Sequence, residues 1–269
     1  MRRARVTVAY DGTDFHGFAE NGAPGEEPVR TVLGVWREAV ERVVRCPVRP
    51  IGSGRTDAGV HGWGQVVSCD LPDDTDLDDL QRRINKMLGP EIALRDWRWT
   101  DDPDFHARFS ASYRHYRYDI LNHPTPHPLL ARTTWHVPQP LDVWAMRLGS
   151  DPLIGEHDFS SFCRRPRSDR TRGPDREPSS MVRRVLLAEW HAVPGEVEGL
   201  LRFEIRATAF CHQMVRSIVG TLVEVGLGVR SAGEIRSVLL AKDRLAAGRV
   251  APPQGLTLWH VGYPEELPR

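Results

Sequence analysis

One carboxylate in this chain stands where a reaction would need one. Asp57 lies in Gly52-Ser-Gly-Arg-Thr-Asp-Ala-Gly-Val-His-Gly-Trp-Gly-Gln65, which holds five glycines in fourteen residues and two other ionisable groups, Arg55 and His61. Glycine costs backbone entropy wherever it sits, so this density implies conformations that a Cβ forbids, or the close approach of another group. Gln65 to Asp70 reads as a strand and Val48 to Ile51 as a short extended segment. Asp57 is therefore expected on a tight loop held by scaffold at both ends. A carboxylate held in that way is able to attack an electrophilic carbon and split one hard step into two easier ones. Simpler readings compete: Asp and Gly are ordinary turn residues. A phosphate-binding loop is disfavoured, because no Gly-Lys-Ser/Thr follows and the strand-turn-helix context of a dinucleotide site is missing.

Two other positions carry chemistry-bearing side chains on regular elements. In Ser112-Tyr-Arg-His-Tyr-Arg-Tyr118, strand alternation puts Tyr116, Tyr118 and Ile120 on one face and Tyr113, His115 and Arg117 on the other. By pattern this is a half-buried strand with core tyrosines. Arg216 falls off the stripe that Phe210, Met214 and Ile218 make at a spacing of four, so by pattern it is a solvated helix arginine.

The elements that must position these residues follow from periodicity. Arg5–Tyr10 is β-branched and alternating, hence a strand; Thr31–Val44 has the apolar spacing of a helix. Leu77–Leu88 is predicted helical, with the acidic run Asp74–Asp79 favourably near its positive end. Ile92–Trp99 is a strand, which gives the first half a β-α-β-β-α-β order, the ferredoxin-like pattern. Asp101-Asp-Pro-Asp104 marks a boundary between segments 1–104 and 105–269. Beyond it come a strand at Tyr113–Leu121, a short one at Thr133–Val137, and a helix capped by Asp142 and running to Leu148. An antiparallel pair follows, Met181–His191 with Gly199–Thr208, then a helix at Phe210–Val225, a short helix at Ala232–Leu240 and a last strand at Leu256–Val261.

Composition narrows the setting. At 269 residues the chain is long enough for one large or two ordinary domains, and its 36 basic residues balance its 36 acidic ones, so no global field announces nucleic acid. Charge is segregated, however: Leu71–Leu80 is acidic, and Arg164–Arg176 carries six arginines against two aspartates. The four cysteines, Cys46, Cys69, Cys163 and Cys211, form no CxxC, which argues against a zinc site or a disulfide framework and fits a reduced, cytoplasmic setting. The N-terminus has no apolar signal region, and no apolar run reaches membrane-spanning length.

The full wording of the motifs says more. Gly54-Arg-Thr-Asp-Ala-Gly-Val-His61 with Gly64-Gln-Val66 resembles the signature of the tRNA pseudouridine synthase A family. Phe105-His-Ala-Arg-Phe-Ser110 followed by Tyr116-Arg-Tyr118 is similar to its second motif, and Ala209-Phe-Cys-His-Gln-Met-Val-Arg-Ser-Ile-Val-Gly220 to its third. Tyr10-Asp-Gly-Thr-Asp-Phe-His-Gly17 fits the family's opening, so the resemblance spans nearly the whole chain.

The resemblance implies an α+β pseudouridine synthase fold of two ferredoxin-like halves, with largely antiparallel sheets flanking a central cleft. It implies an isomerase that breaks the N1–C1′ bond of a uridine, turns the uracil and joins C5 to C1′. Atoms balance and no electron is transferred, so no cofactor is required. Asp57 becomes the catalytic carboxylate, with attack on sugar, attack on base and a glycal-like route all open. Tyr116 lines the site, where a flipped uracil needs an aromatic face and a proton relay. Arg216 pairs with the aspartate and keeps it ionised. Arg55 contacts RNA near the extruded base, and Arg108, His106 and, more weakly, His61 are candidates for phosphate or loop contacts. The substrate is tRNA, at positions 38–40 of the anticodon stem-loop, bound by a homodimer that needs neither membrane nor metal.

Three departures stand out: Gly17-Phe-Ala19, Val32-Leu33, and a longer, more basic Arg164–Ser180 segment, which reads either as a solvated loop kept soluble by its charge or as an exposed arm closing on the tRNA backbone. They bear on docking and substrate range. Three rivals remain: a non-catalytic tRNA-binding or chaperone module, a synthase acting on another RNA, and a hydrolase using Asp57. The hydrolase lacks the second nearby carboxylate that glycosidases pair, and no His/Asp cluster offers metal ligands.

Overall fold

The computed structural model describes residues 1–20, 29–164, 180–195 and 197–264. The Gly/Pro/Glu-rich patch at Asn21–Pro28 and, apart from Arg164 and Ser180, the arginine-rich arm lie outside the described residues. The chain divides into two compact units, residues 1–112 with 257–269, and residues 113–256. The sequence boundary at 104 and the grouping of the last strand with the second half differ from this division. The reason is a strand pairing: the chain's end returns to the first unit's sheet.

The first unit contains β1 (Arg2–Tyr10), α1 (Val32–Val44), β2 (Ile51–Gly52), β3 (His61–Leu71), α2 (Leu77–Leu88), β4 (Ile92–Trp99) and, from the chain's end, β10 (Leu256–Gly262). Its strand order is β4-β1-β3-β10, with β2 also on β3. β1 is antiparallel to both β3 and β4, whereas β10 runs parallel to β3 through Thr257↔His61 and Leu258↔Gly62. Because β2 covers only Val67 and Ser68 of β3, the segment at His61 and Gly62 remains for β10. Alternation sends Ala4, Val6, Val8 and Tyr10 of β1 and Val67, Cys69 and Leu71 of β3 into one core with Trp36 and Val40 of α1 and Leu80 and Ile84 of α2. Both helices start at side-chain caps. Thr31 accepts from the Gly34 N–H, and Asp76 from those of Asp78 and Asp79.

β3 begins at His61, earlier than its apolar run at Gln65 suggests. Glycine in this stretch marks close packing inside a sheet. A Cβ on Gly62 would lie 2.3 Å from the Tyr10 ring, and one on Gly64 would lie 2.3 Å from the Trp259 carbonyl oxygen.

The second unit contains β5 (Tyr113–Leu121), β6 (Trp135–His136), α3 (Val143–Ser150), β7 (Gly155–Asp158), β8 (Val182–Ala192), β9 (Leu200–Ala207), α4 (Met214–Gly226) and α5 (Glu234–Ala241). Its strands run β5-β9-β8-β7, each pair antiparallel, with β6 parallel to β5. α3 packs against α4 and β8. Tyr118, Ile120, Phe203 and Ile205 are fully buried. The opposite face of β5 and β9 is a ladder of charges, in which Arg202 grips Asp119 (Nε–Oδ1 2.7 Å, Nη2–Oδ2 2.9 Å). Glu204 takes Arg117 Nε at 2.7 Å and His115 Nε2 at 3.1 Å. Burial drives the His115 imidazole down to about 4, so it is neutral near pH 7 despite Glu204 beside it.

α4 starts at Met214, later than the spacing of Phe210 predicts. Gln213 takes the left-handed conformation (φ 63°) and ends any helical path from Phe210. Described residues thus form an α+β protein with largely antiparallel strands, the class expected from the sequence.

Candidate active site

Asp57 lies between β2 and β3 on a turn closed by Val60 N–H donating to its carbonyl oxygen at 3.2 Å, with Gly59 left-handed at φ 76°. The residue before it is anchored twice. Thr56 Oγ1 is 2.9 Å from the Tyr10 hydroxyl, and its carbonyl oxygen accepts from Phe18 N–H at 3.1 Å. Upstream, Gln65 Nε2 donates to the Gly54 carbonyl at 2.9 Å while the Ser53 hydroxyl donates to Gln65 Oε1 at 2.5 Å. The loop is therefore fixed from the β1 side and from β3, with Asp57 half-buried and Arg55 exposed.

Phe18, one of the departures in the opening motif, is a core residue of this support. It is fully buried, its ring lies 5.8 Å from that of Tyr10, and a Cβ on Gly52 would come within 2.2 Å of it. Leu33, from the second departure, is also buried, and its N–H donates to the Phe18 carbonyl at 2.9 Å. His61 is buried, with Nδ1 accepting from Gly12 N–H at 3.1 Å and lying 3.2 Å from Asp11 Oδ1. It ties the opening loop to the start of β3.

The Phe105–Ser110 motif belongs to the same unit and makes a compact turn. Ala107 is buried, donating to Ser68 Oγ at 3.2 Å and accepting from the Tyr263 hydroxyl at 2.8 Å. His106 Nδ1 accepts from the N–H groups of Arg108 and Phe109 at 3.2 and 3.3 Å. That turn pushes Arg108 and Phe109 outward, the phenyl ring 75% exposed with the guanidinium 5.5 Å from it.

The second unit brings Tyr116 and Arg216 onto neighbouring elements. Tyr116 is 7% exposed, and the ring of Phe210 meets it edge-on at 5.0 Å. Phe210, which the helical stripe assigned to a helix face, is instead a partner of Tyr116 in the irregular lead-in to α4. Arg216 occupies the first turn of α4, half-buried rather than solvated. Its Nε donates to the Ala251 carbonyl at 2.8 Å, and its own carbonyl accepts from Ala251 N–H at 3.0 Å. The next residue, Pro252, accepts from the Tyr118 hydroxyl at 2.8 Å. Burial pushes the Tyr118 phenol well above its ordinary range, with Arg216 and Arg249 opposing. Tyr118 and the Ala251–Pro252 segment are the supporting parts that motif reading passed over.

The set is thus divided. Asp57, Arg55, His61, His106 and Arg108 belong to the first unit, and Tyr116 and Arg216 to the second. Among the described residues no group of three or more His, Cys, Asp or Glu is placed to hold a metal ion, and no helix is long and apolar enough to cross a membrane.

Comparison with known proteins supplies the context. A family described as tRNA pseudouridine synthase matches residues 6–110 and 151–264. Proteins named tRNA pseudouridine synthase A resemble the chain throughout. That of Brevibacillus brevis is 41% identical over 263 residues, covering 98% of this chain and all of the relative. That of Frankia casuarinae is 42% identical over 266 residues, covering 98% and 90%. That of Leifsonia xyli is 38% identical over 282 residues, covering 97% and 92%.

Proposed function

The chain belongs to the tRNA pseudouridine synthase family, and on that premise we propose that it isomerises uridine to pseudouridine at positions 38–40 of the tRNA anticodon stem-loop, with Asp57 as the essential carboxylate. The reading is supported most by the anchoring of Thr56 from Tyr10 and Phe18, which fixes the backbone immediately before Asp57. A nucleophile gains from such preorganisation, because the geometry is set before the substrate arrives.

The reaction moves C1′ from N1 to C5 of the same uracil. The bond to N1 breaks, the bond to C5 forms, and the C5 hydrogen leaves as a proton while N1 acquires one. Asp57 supplies the negative charge that the nucleoside reacts with. Tyr116 offers a ring for the turned uracil and a hydroxyl for the proton, and Arg216 supplies the cation that keeps the carboxylate ionised. Arg55 and Arg108, both exposed, contact the RNA, with His106 shaping the turn that presents Arg108. The enzyme works in the cytoplasm as a homodimer on one tRNA.

Release of tritium from [5-³H]uridine in a tRNA transcript tests this reading. The wild-type chain is expected to release it, and a transcript with cytidine at positions 38–40 to give none. Asp57→Asn should abolish release while leaving tRNA affinity and the fold intact. Binding without release by the wild type would make the protein a tRNA-binding module. Release by a clean Asp57→Asn preparation would remove Asp57 from the chemistry.

A further inference from the structure

Two cysteines that lie far apart in sequence share one place in the second unit. Cys163 follows the turn Ser160–Phe162, and Cys211 lies in the lead-in to α4. The backbone joins beside them, where Arg164 N–H donates to the His212 carbonyl at 2.9 Å. That join sets the two cysteines side by side, and Cys211 Sγ is 3.9 Å from the Met181 carbonyl oxygen. Their exposures differ: Cys163 is 2% exposed, whereas Cys211 is partly open to solvent.

We propose that Cys163 and Cys211 are a redox-active dithiol that closes to a disulfide by exchange with a low-molecular-weight disulfide of the glutathione class. The geometry assigns the roles. Cys211, reachable from solvent, attacks one sulfur of the oxidant; the oxidant's S–S bond breaks and one thiolate leaves. Cys163 then attacks Cys211 Sγ, the mixed disulfide breaks, and the second thiol departs. The protein loses two electrons and two protons, and the oxidant gains them as two thiols. The electrostatics run the same way. The neighbouring Cys163 thiol draws the Cys211 thiol below its ordinary value, Arg183 adding to this, and the same interaction together with burial pushes Cys163 up. Cys69, by contrast, is buried and pushed up to about 12, which leaves it inert. Closure would tie the Cys163 turn to the segment that carries Phe210, the partner of Tyr116.

The proposal stands apart from the reaction proposed above and is tested without it. The full-length chain is incubated with glutathione disulfide, quenched with iodoacetamide, and analysed intact and as a non-reduced peptide map. The expected product is lighter than the reduced protein by two hydrogen atoms, before alkylation, and retains two alkylatable thiols of the original four. The map should show the Cys163 peptide joined to the Cys211 peptide. Cys163→Ser should stop at a glutathione adduct on Cys211, and Cys211→Ser should leave Cys163 unmodified. A wild-type product carrying a persistent glutathione adduct on Cys211, or modified at Cys46 and not at this pair, would overturn the proposal whether or not the variants fold.

Discussion

The hydroxyl of Tyr118 donates to the carbonyl of Pro252 at 2.8 Å, and the residue before that proline receives the Nε of Arg216. A buried phenol on a strand therefore sets the position of a helix arginine through two residues of intervening backbone. Tyr118→Phe removes only the hydroxyl and leaves the Pro252 carbonyl without that donor. Stability should fall by about 1–2 kcal/mol. If Tyr118 positions Arg216, kcat should fall while KM for tRNA holds, and a purely structural tyrosine would leave both unchanged in the folded fraction. Chemical denaturation beside steady-state kinetics checks this.

Arg216→Ala removes the cation assigned to the carboxylate. Turnover should drop about a hundredfold or more, in the range seen when one charge-stabilising group is lost. Without its cation the carboxylate protonates more readily, so the acid limb of the pH profile of kcat/KM should move to higher pH. Arg216→Lys keeps the charge but not the Nε geometry, and should recover part of the rate. An acid limb that stays in place in Arg216→Ala would show that the arginine is no charge partner.

His115 gives the fold an acid sensitivity. Its folded value is depressed to about 4 by burial, against the ordinary 6.5. The folded state therefore binds fewer protons than the unfolded chain between those values, and stability rises with pH across the window. The contribution is present in full above about pH 6.5 and is lost as pH falls toward 4, amounting to no more than about 3 kcal/mol. Thermal or urea unfolding from pH 7 to 4 should show the loss, and His115→Gln should flatten it. Asp70, held below its usual range by Arg3, adds a second loss only at lower pH.

Helix α4 approaches the Arg249–Ala251 segment at Gly220, where an added Cβ would lie 1.8 Å from the Arg249 carbonyl oxygen. Backbone cannot yield as a side chain does. Gly220→Ala should cost about 1–3 kcal/mol by overpacking. It should also weaken turnover, because the displaced segment includes the carbonyl that holds Arg216. Unchanged Tm and rate in Gly220→Ala would show that the segment is not under that constraint.

Where local signals are strong, the chain reads cleanly. α2, β4 and β5 occupy the spans their patterns predict, because Asp76 caps the helix and the strands alternate. Where tertiary packing decides, it does not. The glycines at 62 and 64 look like loop residues until the Tyr10 ring and the Trp259 carbonyl are in place, so the start of β3 is hidden. Gln213 gives no sign that it is left-handed, and Phe210 is misplaced onto a helix in consequence. β7 is a short strand defined by its pairing with β8. The proposed site residues Asp57, Tyr116 and Arg216 are pointed to only by the wording of their motifs. The contacts that hold them, Tyr10 to Thr56 and Tyr118 to Pro252, join residues too distant in sequence for any pattern to link.

The parallel pairing of β10 with β3 has a consequence for how the protein is made. On a ribosome the β1–β4 segment emerges early, yet the edge of β3 at His61 and Gly62, just after the Asp57 loop, waits for Thr257 and Leu258. The nascent first unit carries that unpaired edge through synthesis of the whole second unit, and an open strand edge is a template for wrong pairing. The pairing beside the Asp57 loop is completed among the last events of folding, and a chain released before β10 is made lacks the strand that covers β3 at His61 and Gly62.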